Sequence, residues 1–316
     1  ALKLLQKVQR RESPVELVYT SHERWPCPRL PIHPQLKLDT IRISVLDSSF
    51  NPPTCAHLAL ANSRPPRYTI KSGLGTGSAL ASVAELDYDA KLLLLSVRNA
   101  DKALKSGDAT YEQRLEMMYL FSKDMPASVS QCPEDKSESA HANVAIAIVD
   151  EPTFVGKAVV LRQFLHARIS SLYPPATALD GMAISIPGPR LAFLLGFDTL
   201  VRLLSPRYYA SEAAMMDVLR LFFSPAGDDC YVVCARRKLA EVEHSVQEEV
   251  EAKTLSAARG FIESERVALI SIDADSVDEQ TSSSQVRTKV ALKDETWRRL
   301  VTPSIANYII QNNLYV

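Results

Sequence analysis

The sequence predicts an α/β protein on a doubly wound parallel sheet, and three observations predict it. Short apolar runs rich in Val, Ile and Leu recur at 41–46, 91–97, 144–149, 191–195, 231–235 and 267–272. Unbroken apolar runs of this length belong to strands buried on both faces, as in a parallel sheet covered by helices. Helix-length segments separate the runs, so strand and helix alternate from residue 41 onward. Finally, the chain contains no internal repeat and neither G-x-G-x-x-G nor G-x-x-x-x-G-K-[ST], which removes the usual phosphate cradles of dehydrogenases and P-loop ATPases.

The N-terminal forty residues are read as an extension packed on the domain, and 41–316 as the domain itself. ALKLLQKVQRRE places Leu2, Leu4, Leu5 and Val8 on one helical face and Lys3, Lys7, Arg10 and Arg11 opposite, the pattern of an amphipathic helix rather than a signal peptide. VELVYTS reads as a strand, and Pro26, Pro28, Pro31 and Pro34 punctuate an extended connection. Ile41, Ile43, Val45 and Leu46 begin the first buried strand. Ser48, Ser49, Asn51, Pro52 and Pro53 stop it, and Thr54 can cap a helix continued by 56–60. Segment 62–89, with Pro65-Pro66 and several Gly and Ser, reads as a surface insertion; 122–143 reads as a polar loop. Helices are expected over 110–121, 153–172, 210–224 and 239–258, with Thr110 as a cap.

Composition narrows the function classes. The 316 residues are 46% hydrophobic and 23% charged with a formal net charge of −1, so bulk charge points to neither nucleic acid nor an anionic membrane. Cys27, Cys55, Cys132, Cys230 and Cys234 are odd in number and form no C-x-x-C. A disulfide framework or structural zinc site is not expected, and a reducing compartment fits better. No apolar stretch approaches the ~20 residues that span a bilayer.

The strand–loop–helix at 41–60 concentrates polar groups where a helix N-terminus faces a strand end, an arrangement suited to phosphate. A second polar cluster, Thr281-Ser282-Ser283-Ser284-Gln285-Val286-Arg287, follows the last strand. Ser284 can cap the next helix, serine hydroxyls donate to phosphate oxygens, and Arg287 lies one turn on with planar paired donors. Gly196-Phe197-Asp198 closes the fourth parallel strand, where Gly permits close backbone approach and Asp198 can accept ribose hydroxyls or cap a helix. Taken singly, each of these segments also reads as an ordinary turn or helix cap.

Together they carry a family resemblance. Ser49-Phe50-Asn51-Pro52-Pro53-Thr54-Cys55-Ala56-His57 resembles the first signature of the HIGH-type nucleotidyltransferases, and among these most resembles the nicotinamide mononucleotide adenylyltransferases, in a fungal adenylyltransferase-like branch. Ser282-Ser283-Ser284 with Arg287 resembles the family's C-terminal I-S-S-T-x-x-R, and Leu300-Val301-Thr302-Pro303 through Tyr308-Ile309 to Leu314-Tyr315 resembles its closing helix and tail. Arg114, Met117 and Arg236 also match family positions.

The resemblance implies a Rossmann-like nucleotidyltransferase fold. It further implies adenylyl transfer from ATP to nicotinamide mononucleotide, giving NAD and pyrophosphate by direct attack on the α-phosphate with Mg²⁺. The alternatives are an adenylyltransferase for another phosphorylated acceptor and a nucleotide-binding regulatory protein with lost or minor catalysis. On this reading His57 and Arg287 are catalytic; Ser49, Phe50, Asn51, Thr54, Gly196, Asp198, Ser282, Ser283 and Ser284 bind the nucleotide; no protein side chain is a dedicated metal ligand. Lys102 and Lys105 are candidate extra phosphate contacts. The implied residence is cytoplasmic or also nuclear, without nucleic-acid or membrane partners, and oligomeric state is not specified. Two departures stand out: Ser48 occupies a position commonly Gly in the family, and no Trp-rich stretch corresponds to the one that stacks the nicotinamide ring in the best-known members.

Overall fold

A computed structural model describes residues 1–27, 39–65, 87–98, 107–126, 142–173, 186–236, 244–271 and 281–316, without the side chains of 244–247. Among these, seven strands form one sheet: β1 (Val15–Thr20), β2 (Thr40–Asp47), β3 (Ala90–Ser96), β4 (Val144–Val149), β5 (Gly188–Gly196), β6 (Tyr231–Arg236) and β7 (Val267–Ser271). Their spatial order is β1-β4-β3-β2-β5-β6-β7. All neighbouring pairs are parallel except β1, which runs antiparallel to β4 with Val15 opposite Val149. The sheet is therefore doubly wound as expected, with one antiparallel strand at its edge.

Alternation along each strand divides the core. Ile43, Val45, Leu92, Leu94, Phe193 and Val232 face one way, against α4 (Phe154–Leu172), α5 (Phe197–Leu203), α6 (Glu212–Phe223) and α7 (His244–Glu263). Leu46, Leu93, Leu95, Ile146, Leu194 and Val233 face the other way. They pack with α1 (Leu2–Gln9), α2 (Cys55–Ala61), α3 (Tyr111–Lys123), α8 (Ser283–Ala291) and α9 (Pro303–Gln311). Strands covered on both faces have no polar side to show, which is why their sequences read as unbroken apolar runs. Leu5 and Val8 seat α1 in the second of these cores, whereas Leu2, read as part of the same apolar face, is exposed.

Three of the expected helices form with small boundary shifts; of the fourth, expected over 239–258, residues 239–243 lie outside the described residues, and α7 runs on to Glu263, five residues past the expected end. Thr110 and Thr153 cap α3 and α4 by accepting from the backbone N–H of Gln113 and Gly156. Helix α3 runs to Lys123, two residues into the segment read as loop. The insertions read at 62–89 and 122–143 fall largely outside the described residues, as do Lys102, Lys105, Cys132 and the prolines at 28, 31 and 34. Among the described residues no helix is long and apolar enough to cross a membrane.

Sequence order reverses between β2 and β5, adjacent central strands whose chain continuations run outward in opposite directions. In open α/β sheets a crevice opens at this point, beyond the carboxyl ends of the strands, and ligands collect there. Asp47 ends β2 and Gly196 ends β5, so both expected nucleotide loops leave the sheet at the switch point.

Candidate functional site

The β2–α2 loop turns on Phe50, whose φ of 45° lies in the left-handed region, and on a cis Asn51–Pro52 bond. The Phe50 ring is fully buried and sits 5.7 Å from the His57 ring, centroid to centroid. It anchors the loop from below, so only its backbone remains for a ligand. Thr54 is the N-cap of α2 and His57 its N3 residue, joined as a reciprocal capping box. The Thr54 N–H donates to His57 Nδ1 at 3.1 Å, and the Thr54 hydroxyl lies 2.8 Å from the same nitrogen. At 1% exposure, the Thr54 side chain serves the cap.

This geometry assigns the imidazole tautomer. Because Nδ1 accepts from a backbone N–H, the proton of the neutral ring sits on Nε2. Nε2 is 2.8 Å from Ser48 Oγ and donates to it. Ser48, read as a departure from Gly, is thus the partner that holds the His57 ring. The pair is not a nucleophile and its base: a general base at Nε2 needs a lone pair there and a proton on Nδ1, where the Thr54 N–H already points. The half-buried imidazole is a hydrogen-bond donor aimed at the loop.

The second polar segment lands on this loop. Arg287 Nη1 donates to the Asn51 carbonyl at 2.6 Å, and Ser283 Oγ donates to the Pro52 carbonyl at 2.7 Å. The cap of α8 is Ser282, which accepts from the Gln285 N–H at 3.2 Å, not Ser284. Three consecutive serines can each cap, and the helix starts two residues earlier than expected. Ser284 is exposed on the first turn and accepts from Arg287 Nη2 at 3.1 Å. Ser49 is half-buried in the β2–α2 loop.

Beneath them lies a buried polar knot. Asn51, 4% exposed, donates through Nδ2 to Asp108 Oδ1 at 2.7 Å, while its Oδ1 accepts from the Ala109 N–H at 3.1 Å and the Tyr315 hydroxyl at 2.9 Å. Asp108 faces two guanidiniums, Arg114 and Arg287, each at 3.6 Å. Burial pushes the Arg114 guanidinium below its ordinary pKa, and Asp108 offsets this. Burial likewise raises the Tyr315 phenol, which keeps its proton and stays a donor. Asn51, expected to bind nucleotide, spends its side chain here. Asp108 and Tyr315 were missed as site residues: Asp108 reads as a turn residue after Gly107, and Tyr315 as part of a structural tail.

Across the crevice, Gly196 caps α5 by its backbone alone, and a Cβ built on it meets nothing within 4 Å. The space above the end of β5 is open. Asp198 is exposed in the first turn of α5, not its cap, with its carboxylate available to solvent. At the end of β2, Lys157 from the first turn of α4 donates to Asp47 Oδ2 at 2.5 Å, and Ser96 Oγ to Asp47 Oδ1 at 3.2 Å. Among the described residues no three His, Cys, Asp or Glu side chains converge as metal ligands.

No protein-family model matches the chain. A curated protein of Schizosaccharomyces pombe named "Putative nicotinamide mononucleotide adenylyltransferase" is 29% identical over 280 residues, covering 87% of this chain and 86% of its own. Among solved structures, the nicotinic acid mononucleotide adenylyltransferase of Plasmodium falciparum, complexed with NaAD or with APC, is similar over 87% of this chain and 97% of its own. Sequence identity there is 14%, with TM-scores of 0.43 and 0.44.

Proposed function

We propose that this chain, as a relative of the nicotinamide mononucleotide adenylyltransferases, transfers the adenylyl group of ATP to the phosphate of a pyridine mononucleotide. One observation carries the reading: Arg287 docks on the Asn51 carbonyl, so two polar segments more than two hundred residues apart share one loop at the topological switch point. The relative's name supplies the acceptor class, and nicotinamide mononucleotide is the acceptor proposed, with NAD and pyrophosphate as products.

An oxygen of the mononucleotide phosphate attacks the ATP α-phosphorus. The new P–O bond forms as the bond to the β-phosphate oxygen breaks, and pyrophosphate leaves with that electron pair. No covalent intermediate on the protein is needed, so the protein contributes positioning and charge stabilisation. His57 donates its Nε2 proton as a hydrogen bond to a phosphate oxygen that takes the place of Ser48 Oγ. Arg287, held by Asn51 and Ser284, directs its remaining donors at the triphosphate, with Ser282, Ser283, Ser284 and the loop amides around it. The open space over Gly196 admits the nucleoside, and Asp198 accepts from ribose hydroxyls. A Mg²⁺ ion, held by phosphate oxygens and water, would neutralise triphosphate charge.

The test is an acceptor screen with Mg²⁺-ATP, read by pyrophosphate release and product mass. Dinucleotide formation with nicotinamide mononucleotide, or with its nicotinate counterpart, is expected. Pyrophosphate release only with an unrelated phosphorylated acceptor would move the assignment to another adenylyltransferase, and ATP binding without any release would make the chain a nucleotide-binding protein. Replacing His57 with Ala removes both a phosphate donor and half of the capping box. Turnover is expected to fall about a hundredfold. Stability should fall by only about 1 kcal/mol, read by denaturant melts.

A further inference from the structure

We propose that Tyr315 is a positioning residue for the reaction inferred above: its hydroxyl orients Asn51, and Asn51 sets the backbone carbonyl on which Arg287 docks. The proposal rests on the adenylyl-transfer reading, but its test does not depend on turnover alone.

The Asn51 amide is fixed at three corners. Both acceptor sites of Oδ1 are used, by the Ala109 N–H and the Tyr315 O–H, and Nδ2 is used by Asp108. A flipped amide would set its NH₂ against the Ala109 N–H, so the orientation is unique. The same residue's backbone carbonyl accepts from Arg287, and the next carbonyl accepts from Ser283. Asp108 sits 3.6 Å from both Arg114 and Arg287, which closes the circuit. Without the Tyr315 hydroxyl, Oδ1 keeps only the Ala109 N–H in a buried setting, and the amide, held at two corners instead of three, can tilt about the line joining Ala109 and Asp108. The loop carbonyl then loses its register, and the Arg287 fork is misaimed. The Tyr315 ring itself packs in the core at 8% exposure, a contact that Phe preserves.

The experiment compares Tyr315→Phe with wild type, in the parent and in an Arg287→Ala background. In the parent, kcat is expected to fall about tenfold while KM for the mononucleotide stays within about twofold. In the Arg287→Ala background the same change is expected to alter kcat by less than about twofold, since the residue it acts through is gone. ATP affinity by calorimetry is expected to weaken about fivefold in the parent and not further in that background. Equal effects in both backgrounds, or a melting temperature lowered by more than about 10 °C, would overturn the proposal in favour of a purely structural tyrosine. If the wild type turned over no acceptor, the functional reading would fail while the ATP titration still decided the role of Tyr315. Failure of the wild type to bind ATP would overturn both.

Discussion

Arg287→Ala is expected to lower kcat about a thousandfold while the fold survives, the largest loss of activity from any single residue of the site. The size follows from what one guanidinium does. It spans the gap between the two polar segments, with Nη1 on the Asn51 carbonyl and Nη2 on Ser284 Oγ, and its side chain remains 29% exposed. Planar paired donors suit a phosphate better than a point charge does, and charge-assisted bonds are about twice as strong as neutral ones. Removing them forfeits stabilisation of charge that grows as the α–β bond breaks, worth about 4 kcal/mol at a thousandfold. The folded state loses two hydrogen bonds and the 3.6 Å contact with Asp108, which still has Arg114 beside it, a cost of about 1–2 kcal/mol that melting curves will read. Arg287→Lys restores the charge without the fork and is expected to recover less than about tenfold of the loss. A kcat within threefold of wild type would remove Arg287 from the reaction.

The parts of this architecture written in local chemistry were legible in the sequence. Strands β3, β4, β5 and β6 announced themselves because burial on both faces leaves no polar alternation. Thr54 and Thr110 announced their helices because a hydroxyl before a helical run has one efficient use, accepting from the first free N–H groups. The two polar segments were legible as a pair for the same reason: each combines turn residues and a cap at a strand end. Position within a Ser run was not. Ser282, Ser283 and Ser284 are chemically equivalent caps, and the start of α8 is decided by tertiary docking of Ser283 on Pro52. Long-range pairing was likewise hidden. Nothing near Asp108 or Tyr315 marks them as partners of Asn51, and nothing in VELVYTS says that β1 pairs antiparallel with β4. The role of Ser48 was hidden too: a residue read only as a departure from the family's Gly holds the imidazole through its hydroxyl.

Lys157→Met is expected to destabilise the protein by about 3–5 kcal/mol, measured by denaturant unfolding. Asp47 and Lys157 are 110 residues apart in sequence, yet their charges meet at 2.5 Å with side chains only 8% and 5% exposed. The ammonium also lies 4.9 Å from the Phe154 ring centroid. A cation in the first turn of α4 opposes the helix dipole, and Asp47 is what makes it tolerable there. Removing the lysine leaves a carboxylate at the carboxyl end of β2 with the Ser96 hydroxyl still donating to it, in a setting that solvates a charge poorly. If the loss comes from that stranded charge and not from the attraction itself, Asp47→Asn combined with Lys157→Met should recover most of it, to within about 1 kcal/mol of wild type. If instead the pair clamps α4 to β2, the double variant will be as unstable as the single one. The distinction bears on catalysis, because Asp47 immediately precedes Ser48, the residue that holds His57. In the first case the double variant keeps its strand end in place and retains turnover within a few-fold. In the second, the end of β2 loosens, the Ser48–His57 contact is lost, and turnover falls toward that of His57→Ala even under conditions where the chain remains folded.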